Sequence, residues 1–197
     1  LFRSRDDATT ERIQNIIDQL SNVKVSFVIP HYVDNLNRIA EIIVSSGYEF
    51  FIQLPTQSSI PLDRKNRVSP FLANASDEEV REKLSYLISS VKYAIGVANT
   101  SESLVTKSRK DMEIILQELS QRGMAFLNIE DDSHIEEEIS ERIKLLALKA
   151  RMFEKSEVLK AKDAVIITSD QLNDLKKGLP EKVTIVPMSF GVKSASI

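Results

Sequence analysis

Short apolar runs recur along the chain and stop at polar residues or at proline, a pattern typical of buried β-strands. The first run covers residues 23–29 and stops at Pro30, and the second covers 48–54 and stops at Pro55. Four more runs follow at 93–98, 124–127, 164–167 and 183–186. Most of them are apolar almost without interruption, as expected for parallel strands that are covered on both faces.

Amphipathic stretches with the i, i+3, i+4, i+7 spacing of a helix face lie between these runs. They predict helices over 10–20, 36–44, about 76–88 and about 107–121, and a long helix from 135 to about 160. Ser76 with Glu79, and Ser133 with Glu136, have the spacing of capping boxes, and Gly47 is expected to end the second helix. Alternating strands and helices predict an α/β fold with a parallel sheet, either open and doubly wound or closed into a barrel.

Composition fits one folded domain spanning residues 1–197. Hydrophobic residues make up 42% of the chain and charged residues 28%, which excludes global disorder. The net charge of −3 gives no bulk attraction to nucleic acid or anionic membranes, and no apolar run is long enough to cross a bilayer. Because the chain begins with leucine, we expect it to be a processed or trimmed polypeptide.

Several catalytic chemistries are excluded by residue counts. The chain has no cysteine, so it contains neither thiolate nucleophiles nor Cys-ligated metals. Its five glycines stand alone, so it has no Gly-rich phosphate-binding loop, and no serine lies in a G-x-S-x-G motif. The two histidines, His31 and His134, lie far apart in the sequence.

Three segments carry residues suited to chemistry, and each also has a structural interpretation. The acidic segment 130–138 resembles a loose metal site, but carboxylates also favour the start of a helix. Asp6 and Asp7 could form a catalytic pair or cap the first helix. His31 follows the first strand, where a lone histidine is more often structural. The polar segment 56–75 is predicted to be a loop that forms a lip over a cleft at the strand ends.

Four short motifs stand in order along the chain. Residues 47–55 read G-Y-E-F-F-I-Q-L-P, 96–106 read G-V-A-N-T-S-E-S-L-V-T, 119–128 read L-S-Q-R-G-M-A-F-L-N, and 186–189 read V-P-M-S. At compatible spacing they resemble G-H-E-V-L-L-H-L-P, G-V-N-N-H-M-G-S-x-x-T, L-x-x-R-G-L-x-F-L-D and V-P-x-S of the divergent polysaccharide deacetylase family. Together the resemblance covers the chain from about residue 10 to residue 189.

The resemblance implies an irregular (β/α) barrel of about six to seven mostly parallel strands. In an active member it implies a divalent metal, typically zinc, held by an aspartate and histidines. That metal activates water for attack on an N-acetyl or O-acetyl carbonyl, with a carboxylate as base. A glycan partner and a location in the cell envelope or periplasm are implied by the same resemblance.

The chain departs from the family pattern at the positions that would bind the metal. Gln53 replaces the histidine of H-L-P, Thr100 replaces the histidine of N-H-M-G-S, and Asn128 replaces the aspartate of F-L-D. Thr168 and Ser169 stand where a later Gly-His pair would fall, and neither histidine of the chain falls at a family position. Because these replacements bind zinc poorly, we predict a catalytically inactive deacetylase fold that has no metal cofactor.

Three hypotheses about function remain open. The first is an inactive domain that binds a glycan or an envelope protein in a polar groove, lined by Gln53, Asn99, Thr100, Ser103 and Thr106, with His31 beside it. The second is a working metal-dependent deacetylase with an altered site built from Asp6, Asp7, His31 and Glu102. Asp6 and Asp7 could be the family's aspartate pair, although their spacing to the following helix is short. The third is a structural remnant without a ligand.

Overall fold

A computed structural model of the protein describes residues 5–20, 25–31, 33, 35–55, 75–99, 103–129, 134–152, 164–168 and 183–186. The strands are β1 Val25–Pro30, β2 Glu49–Gln53, β3 Gly96–Ala98, β4 Ala125–Ile129, β5 Ala147–Met152, β6 Ala164–Thr168 and β7 Val183–Val186. The helices are α1 Arg5–Gln19, α2 Leu36–Ser45, α3 Asp77–Ser90, α4 Arg109–Gln121 and α5 Ile135–Ile143, with a short 3₁₀ helix at Val105–Lys107. Among these described helices, none has both the length and the apolar character that a bilayer span requires.

The seven strands form a closed parallel barrel in sequence order. Each strand pairs with the next, and β7 returns to pair with β1, where Val25 lies opposite Val183 and Phe27 opposite Ile185. This last pairing decides between the open and closed sheets that the alternating pattern left possible. The predicted barrel is confirmed, and each of the six predicted apolar runs overlaps a strand.

The core has two parts because successive side chains on a strand point to opposite faces. Phe27, Phe50 and Phe126 belong to a large cluster packed between the strands and the helices. Val28 and Phe51, one position further along their strands, belong to a smaller cluster of buried residues. Burial on both faces explains why the strand sequences are apolar almost without interruption.

The signals predicted at Ser76 and Gly47 are confirmed, and Gly123 ends a third helix in the same way as Gly47. Ser76 Oγ accepts from the Glu79 N–H while a Glu79 carboxylate oxygen accepts from the Ser76 N–H, which is the capping box of α3. Gly47, at φ +82°, ends α2, and Gly123, at φ +65°, ends α4. In both turns the following N–H reaches back to the carbonyl five residues earlier, as in a Schellman motif.

The long helix predicted from 135 to about 160 is wrong. Helix α5 ends at Ile143 because Lys144 takes a left-handed conformation, φ 56°, and the Leu145 N–H bonds back to the Ser140 carbonyl. Residues 147–152 then form β5, which pairs with β4 and β6. The residues of β5 include good helix formers, and pairing with two neighbouring strands overrides that local preference.

The capping box predicted at Ser133 and Glu136 stays a prediction, because Ser133 lies outside the described residues. Helix α5 has His134 as its N-cap residue, without a side-chain cap among the described residues. Glu136 is buried and accepts a hydrogen bond from Asn128 of β4. The predicted loop at 56–75 lies outside the described residues except for Ala75.

Gly96 allows β3 to approach β4 closely. An ideal Cβ built on Gly96 would lie 2.2 Å from the Ala125 carbonyl oxygen and 2.8 Å from Cε1 of Phe51. Neither neighbour can easily move, since the oxygen is main chain and the ring is buried inside the fold. The glycine of the G-V-A-N motif is therefore required by packing.

We expect Gly96→Ala to lower the free energy of unfolding by about 3 kcal/mol, the upper range for overpacking a core. Chemical denaturation measures the change. Gly123→Ala is the matched control: no described atom lies within 4 Å of its added Cβ, so only the left-handed backbone strain remains, about 1 kcal/mol. An equal loss in the two variants would contradict the packing explanation.

Candidate functional site

Closure of the barrel brings polar residues from separate strands to one end. In a parallel barrel all strands finish at the same end, and this end carries the ligand sites of such folds. Gln53 is the last residue of β2, Asn99 directly follows β3, and Asn128 lies one residue before the end of β4. The registers pair Gln53 with Ala98, and Ala98 with Leu127, so these residues stand next to one another around the rim.

Asn99, Asn128 and Glu136 form a buried hydrogen-bond chain that crosses three elements. Asn99 Nδ2 donates to Asn128 Oδ1 at 3.1 Å and to the Ile129 carbonyl at 3.3 Å. The Ile129 N–H donates in return to Asn99 Oδ1. Asn128 Nδ2 donates to Glu136 Oε1 at 2.6 Å. All three side chains are at most 2% exposed.

The carboxylate of Glu136 fixes the direction of this chain. An ionised carboxylate can only accept, so the amide nitrogen of Asn128 must face Glu136 and its oxygen must face Asn99. That arrangement in turn directs both hydrogens of the Asn99 amide toward β4. Glu136 lies in the first turn of α5, where the helix dipole favours a negative charge. Asn99 thus joins β3 to β4 through its own side chain.

His31 lies at the end of β1 beside the end of β2. Burial lowers the pKa of the His31 imidazole to about 4, and a main-chain hydrogen bond to Gln53 opposes that shift. The ring is therefore uncharged at neutral pH. Because Pro30 pairs with Gln53 across the two strands, the sheet register itself places His31 next to Gln53.

The other predicted groove residues are deeply buried where the structure describes them. Ser103 is fully buried and Thr106 is 3% exposed, and Thr106 Oγ1 donates to the Ser103 carbonyl at 2.8 Å within the turn before α4. Gln53 is partly exposed. Thr100 and Glu102 lie outside the described residues. Whether this set lines a ligand groove stays a prediction.

Asp6 and Asp7 lie inside the first turn of α1, so the prediction that they cap this helix from outside is wrong. The helix simply begins earlier than its apolar stripe. A role for the pair in catalysis stays a prediction, since the structure does not describe their side chains. Among the described residues, no three His, Asp or Glu side chains come together as a metal site.

Glu136 is the site residue that sequence reasoning missed. The sequence pattern favours a cap there, because Glu136 stands three residues after Ser133 and is surrounded by other acids. The asparagine at 128 is the sequence feature that could have pointed to Glu136. A buried amide near the end of a strand needs hydrogen-bond partners, and a carboxylate in the following helix can be one of them. His134, in the same segment, is exposed, with Nδ1 3.2 Å from Glu137.

We expect Asn128→Asp to lower the free energy of unfolding at pH 7 by about 3 kcal/mol, because it sets a second buried carboxylate against Glu136. Repulsion between the Glu136 carboxylate and the new carboxylate at position 128 raises a carboxyl pKa in the folded state above its unfolded value. The loss of stability should therefore shrink as the pH falls toward 4. Denaturation at pH 7 and pH 4.5 measures it. Adding Glu136→Gln should recover much of the loss, since the glutamine amide can donate to Asp. Additive losses in the double variant would contradict the network.

His31 gives a second, pH-dependent expectation. Its folded-state pKa of about 4 lies below the unfolded value, so stability is complete above about pH 6.5 and is lost as the pH falls toward 4. The loss attributable to this residue by pH 4 is on the order of 3 kcal/mol.

Thermal or urea unfolding from pH 7 to pH 4 tests this expectation. His31→Gln removes the titrating group and should flatten the stability profile over that range. His134→Gln, at an exposed histidine, is the control and should keep the wild-type profile. Identical profiles for wild type and His31→Gln would refute the assignment.

Comparison with known proteins agrees with this architecture. The uncharacterized protein ATU2773 from Agrobacterium tumefaciens C58 superposes with a TM-score of 0.65 at 16% identity, covering 89% of this chain and 70% of that one. The lactam utilization protein from Thermus thermophilus gives a TM-score of 0.49 at 11% identity, covering 90% of this chain and 83% of the other. The first likeness supports the fold alone.

The sequence comparison identifies the family. No curated protein is significantly similar to this chain. The family model described as divergent polysaccharide deacetylase matches residues 6–153, which is most of the chain and includes the strand ends described above. The chain therefore belongs to the divergent polysaccharide deacetylase family.

Proposed function

We propose that this chain is a non-catalytic deacetylase-like domain that binds a glycan of the cell envelope at the carboxyl end of its barrel. The observation that carries the proposal is the hydrogen-bond chain from Asn99 through Asn128 to Glu136. This chain places the amides of Asn99 and Asn128 at the strand ends, and Asn128 stands where the family pattern has an aspartate.

The described residues at this end do not fit a zinc ion. Zinc is bound by imidazole nitrogen, thiolate or carboxylate, with three protein ligands and one open position in catalytic sites. Here the Asn128 oxygen accepts from Asn99 and its nitrogen donates to Glu136. Gln53 offers a second amide, and the His31 ring is held against the main chain of Gln53. Apart from Glu136, whose Oε1 already accepts from Asn128, the donor set is thus one of neutral groups already used for packing.

Neutral polar groups suit an uncharged sugar. Gln53 is partly exposed and can both donate and accept, as sugar hydroxyl and acetamido groups require. The buried chain behind it holds β3 and β4 in a fixed position, and β3 pairs directly with β2 at Gln53. A rigid end with a few placed polar groups is the usual form of a small-ligand site. Family membership favours a glycan as the ligand and an extracytoplasmic location.

The test is calorimetric titration with N-acetylglucosamine oligomers. We expect the wild type to bind, and Gln53→Ala to weaken binding by about three- to tenfold, the effect of one hydrogen bond. Gln121→Ala is the matched control, because it removes an exposed amide from the last turn of α4, which leads into the opposite end of the barrel.

Two further measurements on the same protein distinguish the rival functions. We expect no release of acetate from the oligomers and no stoichiometric zinc in the purified protein. Acetate release together with bound zinc would establish a working deacetylase with an altered site. Failure to bind any glycan on an array would leave the structural remnant as the better explanation.

A further inference from the structure

We draw no further inference here: the strongest candidate, the surface around the exposed side chains of Tyr86 near the end of α3 and of Tyr93 in the turn before β3, carries nothing because nothing in the described part of the structure shows what covers it.

Discussion

The hydrogen bond from Asn128 to Glu136 determines how the carboxyl end of this barrel is built. The carboxylate accepts from the Asn128 nitrogen, the Asn128 oxygen accepts from Asn99, and Asn99 binds the main chain of β4 on both sides of Ile129. Glu136 thus orients the Asn128 amide, and Asn99 is held both by the Asn128 oxygen and by the main chain of β4. Removing the charge would remove the restraint on the Asn128 amide, while Asn99 would still be held by Ile129.

Glu136 also connects two regions that are chemically different. One oxygen belongs to the neutral amide chain at the strand ends, and the residue also lies beside Glu137 and Glu141 in a pocket between α5 and β5. An anion therefore lies at this end of the fold, next to the Asn128 amide near the end of β4. In this chain the charge sits on a helix, where the dipole at its first turn stabilises it.

All strands except β5 were predictable because their sequences are apolar almost without interruption, and because a proline stands at or within two residues of the end of β1, β2 and β7. The capping box at Ser76 and the glycines at 47 and 123 were predictable because each rests on local geometry. The end of α5 was not, since Lys144 occupies a conformation for which the sequence offers no glycine. Glu136 was missed because its partner is on another element, and local spacing made a cap an equally good explanation.

Pairing of β7 with β1 joins the first and last strands of the described barrel. During synthesis β1 leaves the ribosome before β7, and its outer edge has no partner until β7 has been made. An unpaired strand edge is a site for association with other chains, and contacts of such long range form slowly. Folding of this barrel is therefore completed only after β7 has been made, and the interval before closure is when the nascent barrel most needs protection.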